Sequence, residues 1–214
     1  MRILVTGGSG VLGRRVAPLL REAGHEVAAP SSSALDLFDP DAVREAVAEA
    51  DAVLHVATRI PIGRLDDREA WRDNDRLRAE ASRLLVDAAL VAATQAYVQP
   101  TVPFLYPDGP ADEDTPVVDP APEHLRSVVA AEAQAARFAA AGRRGVVMRI
   151  GLLDGPGTGN DEPATVHGAS LHVADAASAL VLALTLPSGV YNATRDGERV
   201  ANGRLRAAGW RPRH

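Results

Sequence analysis

Cysteine and lysine are both absent from this 214-residue chain, and each absence removes a class of chemistry. Without a thiol there is no cysteine nucleophile, no disulfide and no thiolate metal site. All 23 basic residues are arginines, so there is no lysine to form a Schiff base or lower the pKa of a neighbouring phenol. No apolar run approaches the roughly 20 residues that span a bilayer. The opening residues break into glycines before a signal-peptide core could form. The net charge of -5, with arginines spread between acids, offers no basic block for nucleic acid. With no histidine cluster at ligand spacing along the chain, no metal site is expected either. These exclusions point to a cytoplasmic protein that works on a small molecule, away from membranes and nucleic acid.

What is present alternates. A length of 214 residues and 46% hydrophobic content suit one well-buried domain spanning 1–214. "RILVT" reads as a strand, "VLGRRVAPLLREAG" as a helix, "HEVAAP" as a second strand and "DPDAVREAVAEA" as a helix capped by Asp39. "DAVLHVAT" is a third strand, Arg68 to Ala93 a long helix, "AYVQP" a fourth strand, and "DGPADEDTPVVDPAP" a loop whose acids lie unpaired on the surface. A further helix leads to the buried strand "GVVMRIG", the helix "VADAASALVLALTL", the strand "GVYNAT" and a closing helix in "RVANGRLRAAGW". Strands alternating with helices imply an α/β fold, a Rossmann-like doubly wound parallel sheet, with ligands at the carboxyl ends of the strands. A reduced substrate-binding appendage is expected within about residues 150–214.

"TGGSGVLG" places Gly7, Gly10 and Gly13 three residues apart, after a strand and opening a helix. A pyrophosphate could rest there against unpaired amides and the positive end of the helix dipole, although a tight strand-to-helix turn needs glycine too. From this loop onward the chain resembles the extended short-chain dehydrogenase/reductase superfamily, in its NAD-dependent epimerase/dehydratase branch. The shared pieces are Thr6 to Gly13, Asp36-Leu37, "HVAT" at 55–58, Asn74, "EDTP" at 113–116, "RIGLLDGPG" from Arg149, "HVADAASAL" from His172 and a terminal "GWRP". They follow one another in order over nearly the whole chain.

The resemblance implies a cofactor site made of Gly7, Ser9, Gly10, Val11, Leu12 and Gly13, with Asp36 and Leu37 at the adenine. It places Ala57 and Thr58 along the cofactor's middle, and residues after Arg149, Gly151 among them, near the nicotinamide. Asp36 reads equally as a turn residue, Ala57 as a small residue between helix and sheet, and Arg149 as half of a structural ion pair. An acid at the end of the second strand would mark NAD by binding the ribose 2′-OH. Here "APSSS" stands instead. Ser31 and Ser32, with Ser33, could bind a 2′-phosphate while Arg14 or Arg15 supplies charge, so NADP is favoured over NAD, unless the serines are a solvated loop.

The superfamily's acid/base motif is a tyrosine, a lysine four residues later and a glutamate four further on, with a hydroxyl on the preceding strand. Counting back from Glu132 puts Val128 at the lysine position and His124 at the tyrosine position. Thr101 matches the strand hydroxyl, and Tyr106 is a further candidate hydroxyl. His124 has a side chain suited to proton transfer near neutrality, but equally reads as an exposed residue at a helix start. Two functions stay open. One is an atypical NAD(P)-binding enzyme acting on a small carbonyl or hydroxyl compound, by redox chemistry or as an isomerase, cyclase or lyase. The other is a non-enzymatic dinucleotide-binding regulator or scaffold. In either case the long helix could pair with its twofold mate in a homodimer.

Overall fold

The computed structural model describes residues 1–163 and 168–214. The stretch between Gly155 and Asp175, where a shortened substrate cap is expected, thus includes residues 164–167, which lie outside the described ones. Four strands are buried almost end to end: β1 (Arg2–Thr6), β3 (Ala52–His55), β4 (Ala96–Thr101) and β5 (Arg144–Ile150). Apolar residues on both pleat faces are what a parallel sheet covered on two sides requires. With β2 (Glu26–Ala28) and β8 (Gly189–Ala193) they form, among the described residues, a six-stranded sheet in the order β2-β1-β3-β4-β5-β8. Every pairing in it is parallel.

Neighbouring residues point to opposite faces, so each strand feeds two cores. Ile3, Leu54, Val98 and Met148 meet α1 (Gly13–Glu22) and α6 (Val173–Ala183), which contribute Val16, Leu20 and Leu180. Leu4, Val53, Tyr97 and Val147 meet α2 (Pro40–Val47), α4 (Ser82–Val91) and α5 (Arg126–Ala140), which contribute Val43, Leu85 and Phe138. Asp39 caps α2 as its sequence indicates, accepting from the amides of Asp41 and Ala42. Because β2 and β3 flank β1 on opposite sides, the connections leaving β1 and β2 cross opposite faces, and a crevice opens at the carboxyl ends of β1 and β3.

The long helix runs without a gap over residues 68–91, but its hydrogen bonding changes along the way. Arg68–Trp71 is 3₁₀, α3 spans Arg72–Arg76, Leu77–Ala81 is π-helical, and α4 ends at Val91. The π turn frees carbonyls that other groups take up: His55 Nε2 donates to Leu77 O at 3.0 Å, and the Ser82 hydroxyl donates to Arg78 O. Periodicity alone did not reveal the π turn, because Leu77, Ala81 and Leu85 on its buried side keep the i, i+4 spacing of an ordinary helix.

Beyond β5, β6 (Leu152–Asp154) and β7 (Ser170–His172) form a separate parallel pair, and α7 (Gly203–Ala207) closes the chain against β8. The acidic loop is not an unpaired surface feature. Glu113 accepts from the Asn192 amide at 3.1 Å and the Arg204 amide at 3.3 Å, and Asp114 pairs with Arg204 at 2.5 Å. No helix among the described residues is long and apolar enough to cross a membrane.

Candidate functional site

The glycine loop lies in the crevice between β1 and β3. Gly7 has φ +72°, and a Cβ there would come within 2.6 Å of the Ala57 backbone. At Gly8 a Cβ would run into the Ala29 carbonyl, and at Gly13 into that of Gly7. The loop folds on itself through Gly10 N to Gly7 O at 2.9 Å, and is tied to the end of β2 by Gly8 N to Pro30 O at 3.1 Å. Ser9 and Gly10 are exposed, Val11 and Leu12 half-buried. No side chain caps α1 and no acid lies in its first turn, so no side-chain charge there offsets the positive end of its dipole, as an anionic diphosphate would need.

Around this loop the sequence-derived cofactor residues fall in two groups. Ala57 abuts Gly7, exposed Thr58 follows it, and the Gly8 to Pro30 bond brings the start of the serine run alongside. The Ser31 and Ser33 hydroxyls bond each other at 2.8 Å, while Ser32 is exposed. Asp36 uses Oδ1 to accept from the Phe38 amide at 2.9 Å, a turn bond, and Leu37 is buried in the core. The arginines do not join the serines. Arg15 donates to the carbonyls of Val11 and Pro156, at 2.8 and 2.5 Å, and the Arg14 guanidinium stands beside Gly157. Gly151 is buried under β7, where a Cβ would lie 2.7 Å from the Ser170 backbone, so packing accounts for that glycine.

Directly beneath the loop, Thr6 and His55 bond side chain to side chain at 2.6 Å across β1 and β3. Burial lowers the His55 pKa from 6.5 to about 4, against the opposing bond to Leu77 O, so the ring is neutral near pH 7. Its Nε2 proton goes to Leu77 O, which leaves Nδ1 to accept from Thr6. Asn74, fully buried, accepts from the Arg59 amide at 3.0 Å and thereby holds the segment after β3; its Nδ2 finds no protein acceptor among the described residues.

At the other end of the crevice, Thr101, Arg149 and Asn192 occupy one row across β4, β5 and β8. Thr101 Oγ1 donates to Glu132 Oε1 at 2.9 Å, and Arg149 grips the same carboxylate through Nε at 2.9 Å and Nη2 at 2.7 Å. The guanidinium also lies 4.7 Å above the Tyr106 ring, whose hydroxyl donates to Asn192 Oδ1 at 3.1 Å. Burial acts to lower the Arg149 pKa, but its bonds to Glu132 prevail and raise it, so the cation is permanent. His124 is apart from this row: it is exposed in the 3₁₀ turn Glu123–Leu125, with no side-chain hydrogen bond among the described residues. Val128 is fully buried with Leu105 and Leu125.

The profile of the NAD dependent epimerase/dehydratase family matches residues 3–171. The chain belongs to this family. It is 36% identical over 177 residues to the 3-diazoavenalumate denitrifying reductase of a Streptomyces species, covering 74% of this chain and 58% of that relative, less than two thirds of its length. Its fold matches the Thermus thermophilus UDP-glucose 4-epimerase in complex with NAD, with a TM-score of 0.77 at 19% identity over 100% of this chain and 94% of that one. RMD from Pseudomonas aeruginosa, complexed with NADPH, gives a TM-score of 0.77 at 21% identity over 99% and 93% of the two chains. Identity this low speaks for the fold alone.

In this epimerase/dehydratase family member, sequence reasoning found the loop but missed the connections behind it. Glu132 served only as a counting mark, and His55 and Asn192 carried no role, because nothing local signals a partner dozens of residues away. Spacing along the chain shows no histidine cluster, but the fold brings His172, Asp175 and His214 together, with ligand-type atoms within 4.8 Å of one another. The two rings stack at 4.3 Å, which sets their in-plane lone pairs side by side and not convergent. Asp175 spends its oxygens on the amides of Arg213 and His214, at 3.1 and 3.0 Å, and on His214 Nδ1 at 3.1 Å. The cluster acts as a clamp on the 208–214 segment.

Proposed function

We propose that the chain is an NAD(P)-binding enzyme of the reductase and epimerase class, acting on a small carbonyl or hydroxyl compound with an unusual proton-handling set. The observation that carries this reading is the uncapped start of α1 behind Gly7 to Gly13, at the crevice between β1 and β3. Val11, Leu12 and Gly13 would hold the diphosphate, Ala57 and Thr58 the middle of the cofactor, and Ser31 and Ser32 the adenosine ribose. The cofactor is NADP or NAD. With Arg14 and Arg15 turned elsewhere, the case for NADP rests on the serines alone.

A bound nicotinamide supplies the hydride; the chain has to handle the proton. Tyr106 is the acid/base candidate that the geometry favours, because its hydroxyl reaches Asn192 in the row of Thr101 and Arg149, with the Arg149 guanidinium over its ring. Glu132 and Thr101 position that cation and touch no substrate in this role. His124, exposed and unengaged among the described residues, is the second candidate.

Calorimetric titration with NADPH, NADH and their oxidised forms tests the reading. Micromolar binding of one of them supports it; no binding of any at millimolar concentration overturns it. A non-enzymatic dinucleotide-binding role is the alternative, favoured by one observation: Thr101, Glu132, Arg149, Tyr106 and Asn192 satisfy one another. Tight cofactor binding together with a Tyr106→Phe variant indistinguishable from the parent in every assay would select that role. Pairing of two copies through α4, which leaves Val91 exposed, belongs to the same proposal and is read by sedimentation.

A further inference from the structure

A cavity of about 740 Å³ lies behind α1, bounded by α6 and by the 208–214 segment. None of Gly7 to Gly13 lines it, so it is separate from the crevice of the glycine loop. Arg14, Arg15, Arg211 and Arg213 all border it. In an acidic chain where many arginines pair with acids, as Arg59 does with Asp73 and Arg206 with Asp196, these four form no direct ion pair among the described residues, although Asp196 feels the charge of Arg211. Arg15 is held by the carbonyls of Val11 and Pro156, and Arg211 by those of Arg206 and Trp210, bonds that orient a guanidinium without cancelling its charge. Arg14 and Arg213 make no side-chain hydrogen bond or ion pair among the described residues.

The carboxylate on the cavity wall is Asp175. It is 3% exposed and accepts from the Arg213 and His214 amides, and so it fixes the segment that carries Arg213; its single negative charge stands against four arginines. The rest of the wall is largely apolar, with Pro18, Leu19, Leu182 and Trp210. Trp210 is fixed by its Nε1 donating to Ser178 Oγ at 2.9 Å, and Leu19 is 37% exposed. An apolar floor under a rim of four guanidinium groups that outnumber the one carboxylate of the wall, in a volume within the roughly 300–1,000 Å³ of small-molecule sites, suits one class of ligand.

We infer that this cavity is a second binding site, for an organic anion that carries a phosphate or carboxylate on an apolar or aromatic body of about nucleotide size. The rim takes the anionic group and the floor takes the body. The site is independent of the cofactor reading, since it shares neither the crevice nor the glycine loop.

The test uses 8-anilinonaphthalene-1-sulfonate, a fluorescent aromatic anion, titrated into the full chain and into an Arg14→Ala/Arg213→Ala variant. Both arginines are exposed, so the variant is expected to keep the parent's far-UV dichroism and melting temperature. The expected result is saturable binding to the parent and affinity weakened about tenfold or more in the variant. Adenosine monophosphate should displace the dye more effectively than inorganic phosphate, and a Gly13→Ala change in the glycine loop should leave the dye's affinity as in the parent. Equal affinity in parent and variant overturns the inference, as does loss of dye binding in Gly13→Ala, which would place the dye in the crevice. Displacement by inorganic phosphate as effective as by the nucleotide would also overturn it, because the apolar floor would then contribute nothing.

Discussion

Arg149 holds Glu132 through two parallel hydrogen bonds, at 2.9 and 2.7 Å, with side chains only 6% and 15% exposed. This pair decides how the end of the crevice works. It accepts the Thr101 proton, so that hydroxyl points inward and has only lone pairs left for a ligand. It also fixes the cation over Tyr106.

The first prediction concerns that pair. Glu132→Gln leaves a buried guanidinium without its counter-charge, and should cost about 3–5 kcal/mol of stability. Chemical denaturation checks this. Arg149→Met combined with Glu132→Gln should cost clearly less than the sum of the two single changes, since neither buried charge is then stranded.

Tyr106→Phe removes the phenol while keeping the ring under Arg149. We expect cofactor affinity to stay within about twofold and turnover of any accepted carbonyl compound to fall about 10²-fold or more. His124→Ala should change stability by no more than about 0.5 kcal/mol, as for exposed residues without a partner. A large loss of turnover in His124→Ala with none in Tyr106→Phe would transfer the proton-handling role to the histidine.

Arg14 and Arg15 face away from the serine run. Arg14→Ala should therefore leave the ratio of NADPH to NADH affinity unchanged, whereas Ser31→Ala with Ser32→Ala should lower it. Calorimetric titration of both variants with both cofactors reads this directly.

His55 gives the protein an acid-sensitive strut. Its folded pKa is about 4 against the ordinary 6.5, so between those pH values the unfolded chain takes up a proton that the folded chain refuses. Stability then falls as pH falls, by about 1.4 kcal/mol per unit and about 3 kcal/mol in all. Above pH 6.5 the ring is neutral in both states and this dependence disappears. Carboxylates contribute at the acid end, so the measurement is the difference between the parent and His55→Gln in urea unfolding near neutrality and at a pH about two units lower. The gap between them should narrow toward the lower pH.

Gly13→Ala drives a methyl into the Gly7 carbonyl, a backbone atom that cannot move aside. Cofactor affinity should drop about tenfold or more, with a smaller loss of stability. An alanine variant that binds the cofactor as the parent does would remove the loop from the binding site.

The elements of this fold follow from local pattern. Apolar runs such as "DAVLHVAT" and the 3.6-residue stripes of α1, α2 and α5 can be read one segment at a time, because burial on one or two faces imposes its period directly on the residues. The glycine loop was legible for the same reason, as spacing, strand and helix all lie within a dozen residues or so. Composition alone removed thiol and lysine chemistry from consideration.

The interior of the site was decided elsewhere. Thr101, Glu132, Arg149 and Asn192 come together only because β4, β5 and β8 are neighbours in one register and α5 lies over β4 and β5. Strand order is a global solution to burying both faces of the sheet, and no single segment encodes it. The same holds for the π turn at Leu77, drawn to a histidine 22 residues earlier, and for the arginines of the first turn of α1. Their sequence position suggests a cofactor phosphate; the packing of α6 and the chain end turns them toward a different cavity. Residue types and their periods set which elements form, while the tertiary structure chose which side chains meet, because those meetings depend on distances that only the assembled sheet defines.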